Sequence, residues 1–255
     1  MSLFTKALAR KPCRNLVNGL SAAGLGPPNF GRAVEQHAAY VEALRSCGLA
    51  VTVLAADEEY PDSVFIEDTA VLGERMAVTT RPGATSRRGE ERSVALALEK
   101  FYSRLETILA PGTLEGGDVM RAGDRFFIGL SERTNPSGAQ QLAAILQRHG
   151  YEAVLVPLRE VLHLKTGISY LEDNLLLAAG EFLGHPLLSS FTAIPVPPSE
   201  SYAANSLWLN NRVLVPSGFP LTRAAIEKAG YETLPVDVSE FRKLDGGLSC
   251  LSLRF

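Results

Sequence analysis

A repeating pattern of helix, glycine and strand limits the folds open to this chain more than any single motif does. Three stretches close a helical pattern with glycine and run straight into an apolar strand: SCGLAVTVLAA (46–56), RHGYEAVLVPL (148–158) and KAGYETLPVDV (228–238). Gly48, Gly150 and Gly230 stand where a helix C-terminus needs a residue free to take positive φ. The helices before them carry apolar residues at three- and four-residue spacing. Their stripes are Val34, Ala38, Val41 and Leu44; Leu142, Ile145 and Leu146; and Ala225, Ile226 and Ala229. A helix expected around Glu91–Tyr102, with Val94, Leu98 and Phe101, lacks the glycine but leads into LETILAP (105–111) in the same way.

Hairpins recur between these helices. DTAVLGERMAVTTRPG (68–83), DVMRAGDRFFIGLS (118–131) and NSLWLNNRVLVPSG (205–218) each place a turn-prone pair between apolar runs. The pairs are Gly73-Glu74, Gly123-Asp124 and Asn210-Asn211; DNLLLAAGEFLG (173–184) reads as a weaker fourth copy. The spacing is 50 residues from Asp68 to Asp118 and 55 from Asp118 to Asp173, a period near one fifth of the 255-residue chain. The terminal CLSLRF has no local strand to pair with and is expected to complete the unit begun by NLVNGL (15–20). The pattern predicts a single α/β domain over 1–255, with about five hairpin–helix–strand units arranged pseudo-symmetrically around an axis so that polar residues at the same place in each unit converge. An ordinary doubly wound α/β sheet is the alternative, and hairpins between the helices argue against it.

Composition narrows the function classes. With 25 basic and 28 acidic side chains, for a net charge of −3, the chain has no basic footprint for nucleic acid or an anionic membrane. No run approaches the ~18 apolar residues of a membrane span, and MSLFTKALARKPCR lacks a signal-peptide core. Three cysteines make no disulfide framework and suit a reducing compartment, so a cytoplasmic location is expected. No CxxC, HxxxH, GxGxxG or phosphate loop is present, so no cofactor or metal is expected. The expected partner is a small-molecule substrate, with monomer and homodimer both open.

Few residues stand out for chemistry. Cys250 follows Gly246-Gly247 at the entrance to an apolar strand, whereas Cys13 and Cys47 read as packing. An isolated cysteine is more often core filling than a nucleophile. His163, between Leu162 and Leu164, is the one histidine of four at an irregular strand–turn junction. Glu115 precedes paired glycines with Asp118 close behind, and Glu67-Asp68 lie inside VFIEDTAV near Asp62. Carboxylates are disfavoured inside a strand unless a cation meets them, though turn or capping carboxylates explain the pair equally well. Arg87, Arg88 and Arg133 read by default as solvated charges.

Taken together and in order, eight segments resemble the dimethylarginine dimethylaminohydrolases of the guanidine-modifying, or pentein, superfamily. They are LVNGL (16–20), FIEDTAV (65–71), TRPGATSRRGE (80–90), LEGGDV (114–119), SERTN (131–135), VLHLKTG (161–167), ESYAANS (200–206) and KLDGGLSCLS (243–252). The resemblance implies a five-unit α/β propeller that hydrolyses Nω-methylated L-arginine to L-citrulline and an amine. It implies Cys250 as nucleophile, His163 as general acid/base and Glu115 as the carboxylate acting with them. Glu67 and Asp68 match the guanidinium-binding pair. Leu20, Asp62, Arg87 and Arg133 match positions that hold the amino acid portion, and Leu244 matches a backbone contact.

The chemistry asks for these residue types. A guanidinium is planar and cationic, so carboxylates fix its plane in fork geometry while a thiolate attacks the central carbon. The departing amine needs a proton, and the incoming water must lose one. Arginine deiminases, which are similar, carry HLDT where this chain has HLKT; Lys165 replaces a carboxylate that would grip an unsubstituted nitrogen. The rivals are an arginine deiminase, a hydrolase of another guanidine such as agmatine, an amidinotransferase, and a non-catalytic binding pentein. Residues 18–32, rich in Gly and Pro and carrying Leu20, are the expected mobile lid.

Overall fold

The computed structural model describes residues 4–255, whose strands form five sheets of three. One sheet shows the wiring of all. Val119–Ala122 turns through Gly123 and Asp124 into the antiparallel Arg125–Leu130, with Val119 opposite Ile128. Helix Pro136–Arg148 returns the chain so that Glu152–Pro157 runs parallel to Arg125–Leu130. Ala70–Leu72, Ala77–Thr79 and Leu105–Thr107 repeat this order, as do Leu207–Leu209, Arg212–Pro216 and Glu232–Val236. In the fifth sheet the chain's two ends cooperate. Ser252–Arg254 lies antiparallel to Lys6–Arg10, which runs parallel to Ala50–Leu54.

The described chain divides into two compact units. Glu67–Ala204 holds three sheets; the chain up to Ile66, with Asn205–Phe255, holds the other two. In the first unit, Leu142 and Leu146 of helix Pro136–Arg148 are fully buried in one core with Val78, Phe126 and Ile128.

Local expectations meet the structure unevenly. Gly48, Gly150 and Gly230 take φ of 90°, 80° and 100°, ending their helices as predicted, and Asn210 and Asn211 turn their hairpin with φ of 50° and 75°. The closing strand pairs with Lys6–Arg10 and not with 15–20, because Arg14–Asn18 is a 3-10 turn. There the Leu16 N–H donates to Cys13 O at 3.2 Å and the Gly19 N–H to Leu16 O at 2.9 Å, local bonds that take backbone groups a strand ladder would need. The fourth hairpin lies one strand earlier than 173–184. Ile168–Tyr170 pairs with Leu175–Ala178 across Glu172, Asp173 and Asn174, all at positive φ, so the polar residues read as its opening are its turn. Helix Phe30–Ser46 exposes Val34 and Ala38 and buries Ala33, Gln36, His37 and Tyr40 instead. Tyr40 Oη meets Ser252 Oγ at 2.6 Å and Gln36 donates to Ser239 Oγ, so polar partners decide the buried face. The helix after Arg87 ends at Leu98, earlier than Tyr102.

One feature of the wiring places the chemistry. The outer antiparallel strand of each sheet follows a short helical segment: Ile66–Thr69, Gly116–Asp118, Leu164–Gly167 with His163 as its cap, Pro198–Ala204 with a kink at Glu200, and Ser249–Leu251. Glu67 and Asp68, Asp118 with Glu115 just ahead, His163, and Cys250 occupy four of these five entrances.

Candidate active site

The unit Glu67–Ala204 holds six of the expected residues, and Asp68, Glu115 and His163 among them lie together. His163 Nε2 lies 2.8 Å from Glu115 Oε2, with both side chains buried. The second oxygen of Glu115 accepts the Ala84 N–H at 3.2 Å and faces Arg133 Nη1 at 3.9 Å. Asp68 Oδ1 accepts the Gly117 N–H at 2.8 Å, and its Oδ2 meets Arg87 Nη1 at 2.6 Å. Glu67 Oε1 lies 2.6 Å from Lys165 Nζ. Gly117 has to be glycine: a Cβ there would lie 2.8 Å from His163 Nδ1 and 2.9 Å from Asp68 Oδ1. The paired glycines after Glu115 thus let the histidine ring lie against backbone.

Asp118, which the sequence reading left without a role, is the hub beneath this cluster. It is fully buried and accepts from Ser131 Oγ at 2.7 Å, Thr134 Oγ1 at 2.6 Å and the Leu164 N–H at 3.0 Å. Burial raises its pKa against the charge of His163 and these hydrogen bonds. For His163 burial pulls the pKa down, but Asp68, the Glu115 hydrogen bond and Asp118 outweigh it and push the ring up to about 9. Burial likewise raises Glu115, while its bond to His163 and the charges of Arg87, His163 and Arg133 bring it down to about 2. The pair is therefore imidazolium with carboxylate at neutral pH.

Arg87, expected at a substrate's carboxylate, spans two carboxylates of the chain itself. Its Nε and Nη2 reach Glu90 Oε1 at 3.0 and 2.5 Å while Nη1 holds Asp68. Arg133 is more accessible, with 22% of its side chain exposed. Donor atoms of Asp68, Glu115 and His163 lie within 4.8 Å of one another. These carboxylates already accept from Arg87, Gly117, Ala84 and His163, and a carboxylate's remaining lone pairs suit further N–H donors.

The other unit holds the remaining four. The Leu20 N–H donates to Asp62 Oδ1 at 3.0 Å, and a Cβ on Gly19 would meet Asp62 Oδ1 at 2.8 Å and Leu244 Cδ1 at 3.3 Å, so these three sit together. Cys250 Sγ accepts the Gly247 N–H at 3.3 Å and is part-exposed. Its neighbour Ser249 is locked by Asn205, which accepts from the Ser249 N–H at 2.9 Å and donates to its Oγ at 3.0 Å. Cys13 and Cys47 are buried, and burial raises both thiols. Ser21 Oγ donates to Lys243 O, and the Ala22 N–H to Asp245 Oδ2, fastening the start of the expected lid to the segment before Cys250.

A family model for eukaryotic N,N dimethylarginine dimethylhydrolase matches residues 29–183. The N(G),N(G)-dimethylarginine dimethylaminohydrolase of Pseudomonas aeruginosa is 51% identical over 254 residues, covering 99% of this chain and 100% of its own. A solved cysteine-to-serine variant of the enzyme from that organism, complexed with citrulline, aligns at a TM-score of 0.98 with 50% identity and full coverage of both chains. A dimethylarginine dimethylaminohydrolase with histidine replaced by glycine, solved as an adduct with S-methyl-L-thiocitrulline, also aligns at 0.98, with 51% identity over 99% of this chain and 100% of its own. The five three-stranded sheets are those of the five-unit α/β pentein fold. Within that class, the chain belongs to the dimethylarginine dimethylaminohydrolase family.

Proposed function

We propose that the chain hydrolyses Nω-methylated L-arginine to L-citrulline and methylamine or dimethylamine, working as a single catalytic domain over 1–255 with both sets of residues serving one substrate. The observation that carries this reading is the buried His163–Glu115 pair beside Asp68, a stored proton next to a carboxylate with lone pairs to spare.

Asp68 and Glu67 accept N–H bonds from the substrate guanidinium and fix its plane. The Cys250 thiolate, favoured by the imidazolium charge and the cationic substrate, adds to the central carbon. His163 passes its proton to the substituted nitrogen, the C–N bond breaks, and the neutral amine leaves a thiouronium on sulfur. The same ring then takes a proton from water as hydroxide adds to that carbon. The C–S bond breaks, restoring thiolate, and the added hydroxyl gives its proton to solvent as the urea carbonyl of citrulline forms. Glu115 holds one ring nitrogen so that the other faces the reaction. Asp62 and the Leu20 and Leu244 backbones serve the α-amino end. Arg87 and Arg133 supply positive charge for the α-carboxylate, with Arg133 making the direct contact.

The Lys165–Glu67 pair favours a methylated over an unsubstituted nitrogen, because one carboxylate is already half-neutralised where a second full N–H grip would be needed. No helix among the described residues is long and apolar enough to cross a membrane; a cytoplasmic location belongs to the proposal. The test is incubation with asymmetric dimethylarginine, monomethylarginine, arginine and agmatine, reading citrulline and amine. Methylated substrates turn over fastest; equal or better turnover of arginine overturns the substrate assignment, and none at all overturns the enzyme reading. Cys250→Ser abolishes turnover, and His163→Gly, given S-methyl-L-thiocitrulline, whose thiolate leaves without a proton, accumulates a thiouronium adduct visible by intact-protein mass spectrometry.

A further inference from the structure

Asp68 needs one oxygen turned toward its ligand, and what turns it lies outside every expected site residue. Glu90 is 1% exposed and sits three residues after Arg87, where the chain leaves a 3-10 turn at Thr85–Arg87 and enters helix Glu91–Leu98. Its Oε1 takes two of the three Arg87 nitrogens, leaving Nη1 for Asp68 Oδ2. Asp68 is thereby held at two points, by Arg87 on one oxygen and by the Gly117 N–H on the other.

We propose that Glu90 is a positioning residue for the reaction proposed above, acting through Arg87 to set the orientation of Asp68; the inference rests on that reading. A buried guanidinium keeps its N–H groups satisfied. Without the Glu90 carboxylate, Arg87 closes its fork over Asp68, the other carboxylate it pairs with, in the two-bond geometry that arginine and carboxylate favour. That rotation draws Asp68 off the Gly117 N–H and occupies the lone pairs a substrate guanidinium would use. Glu90 thus competes for Arg87 so that Asp68 stays available. The His163–Glu115 hydrogen bond keeps both partners, so the larger loss falls on binding, with a smaller change in proton transfer through the Asp68 charge on His163.

The test compares the full-length wild type with Glu90→Gln, which keeps size and one acceptor, and with Glu90→Asp, which keeps charge but is one methylene short. The readouts are steady-state turnover of asymmetric dimethylarginine, L-citrulline affinity by calorimetry, and thermal stability. We expect KM and the citrulline Kd to rise about tenfold or more in both variants, the scale of losing a hydrogen bond to a charged group, with kcat within about threefold. Lower thermal stability with unchanged KM and Kd means a structural role only and overturns the inference. So does a fall in kcat at constant KM. A wild type that turns over no methylated arginine defeats the proposed function, and this inference with it.

Discussion

His163 and His37 are buried to similar depth, at 9% and 4% exposed, yet titrate in opposite directions. On helix Phe30–Ser46, burial lowers His37 to about 4; a backbone bond at Arg10 opposes this weakly, and the Lys11 charge adds to it. Its Nε2 finds no hydrogen-bond partner among the described residues. Burial acts on His163 too, but Asp68, Glu115 and Asp118 carry it up to about 9. Desolvation alone makes a histidine neutral and inert. Surrounding carboxylates turn the same ring into a proton store, the property that an acid/base residue needs.

The largest expected effect comes from removing the carboxylate that defines the difference. Glu115→Gln lowers kcat by about a thousandfold, within the usual range for general acid–base assistance. It also brings the His163 pKa down, read by NMR titration of the imidazole protons. A variant with wild-type kcat would break the comparison at its centre.

The next effect belongs to the other histidine. Its folded pKa lies below the ordinary 6.5, so between 6.5 and about 4 the unfolded chain binds more protons than the folded one. The stabilisation is complete above pH 6.5 and is lost as pH falls through that window, by about 3 kcal/mol. Urea unfolding at pH 7 and pH 4.5 measures it, and His37→Leu flattens that part of the profile; an equally steep profile in the variant assigns the loss elsewhere. His163 runs the other way. Its raised pKa gives stabilisation that is complete below 6.5 and lost as pH rises through about 9.

The smallest change is expected at Asp118→Asn. The amide oxygen still accepts the Leu164 N–H, and Thr134 Oγ1, which already accepts the Glu115 N–H, keeps one lone pair for the amide nitrogen; Ser131 Oγ, with both lone pairs on the Arg133 and Thr134 N–H groups, loses only the acceptor for its own proton. The loss of charge lowers kcat about tenfold, with a smaller fall in the His163 pKa than Glu115→Gln produces. A larger effect than Glu115→Gln would make Asp118 the principal partner of the histidine.

How much was legible follows the range of the interactions involved. Hairpin turns and helix-ending glycines are local, since Asn210, Asn211, Gly48, Gly150 and Gly230 are chosen for φ values that other residues resist. Glu115, His163 and Cys250 were found through their motifs, each beside glycines or at a break in an apolar run. Asp118 and Glu90 were not. An acid next to a glycine pair, or opening a helix, looks the same in sequence whether it caps a turn or is buried beneath a histidine or an arginine. The sequence does hold one signal for Glu90, its three-residue spacing from Arg87, but such spacing is common on solvated helix faces.

The five-fold repeat, the order of strand, hairpin and helix, and the set of chemically able side chains are properties of the sequence, because they depend on spacing and on φ preferences that act within a few residues. Tertiary structure alone decided that Lys6–Arg10 receives the C-terminal strand, that Tyr40 and not Val34 faces inward, and that Arg87 serves Asp68 and Glu90. It also decided which of two buried histidines keeps its proton. Ionisation and pairing are set by the charges and dipoles within a few ångströms, and residues 46 to 49 positions apart became such neighbours only on folding.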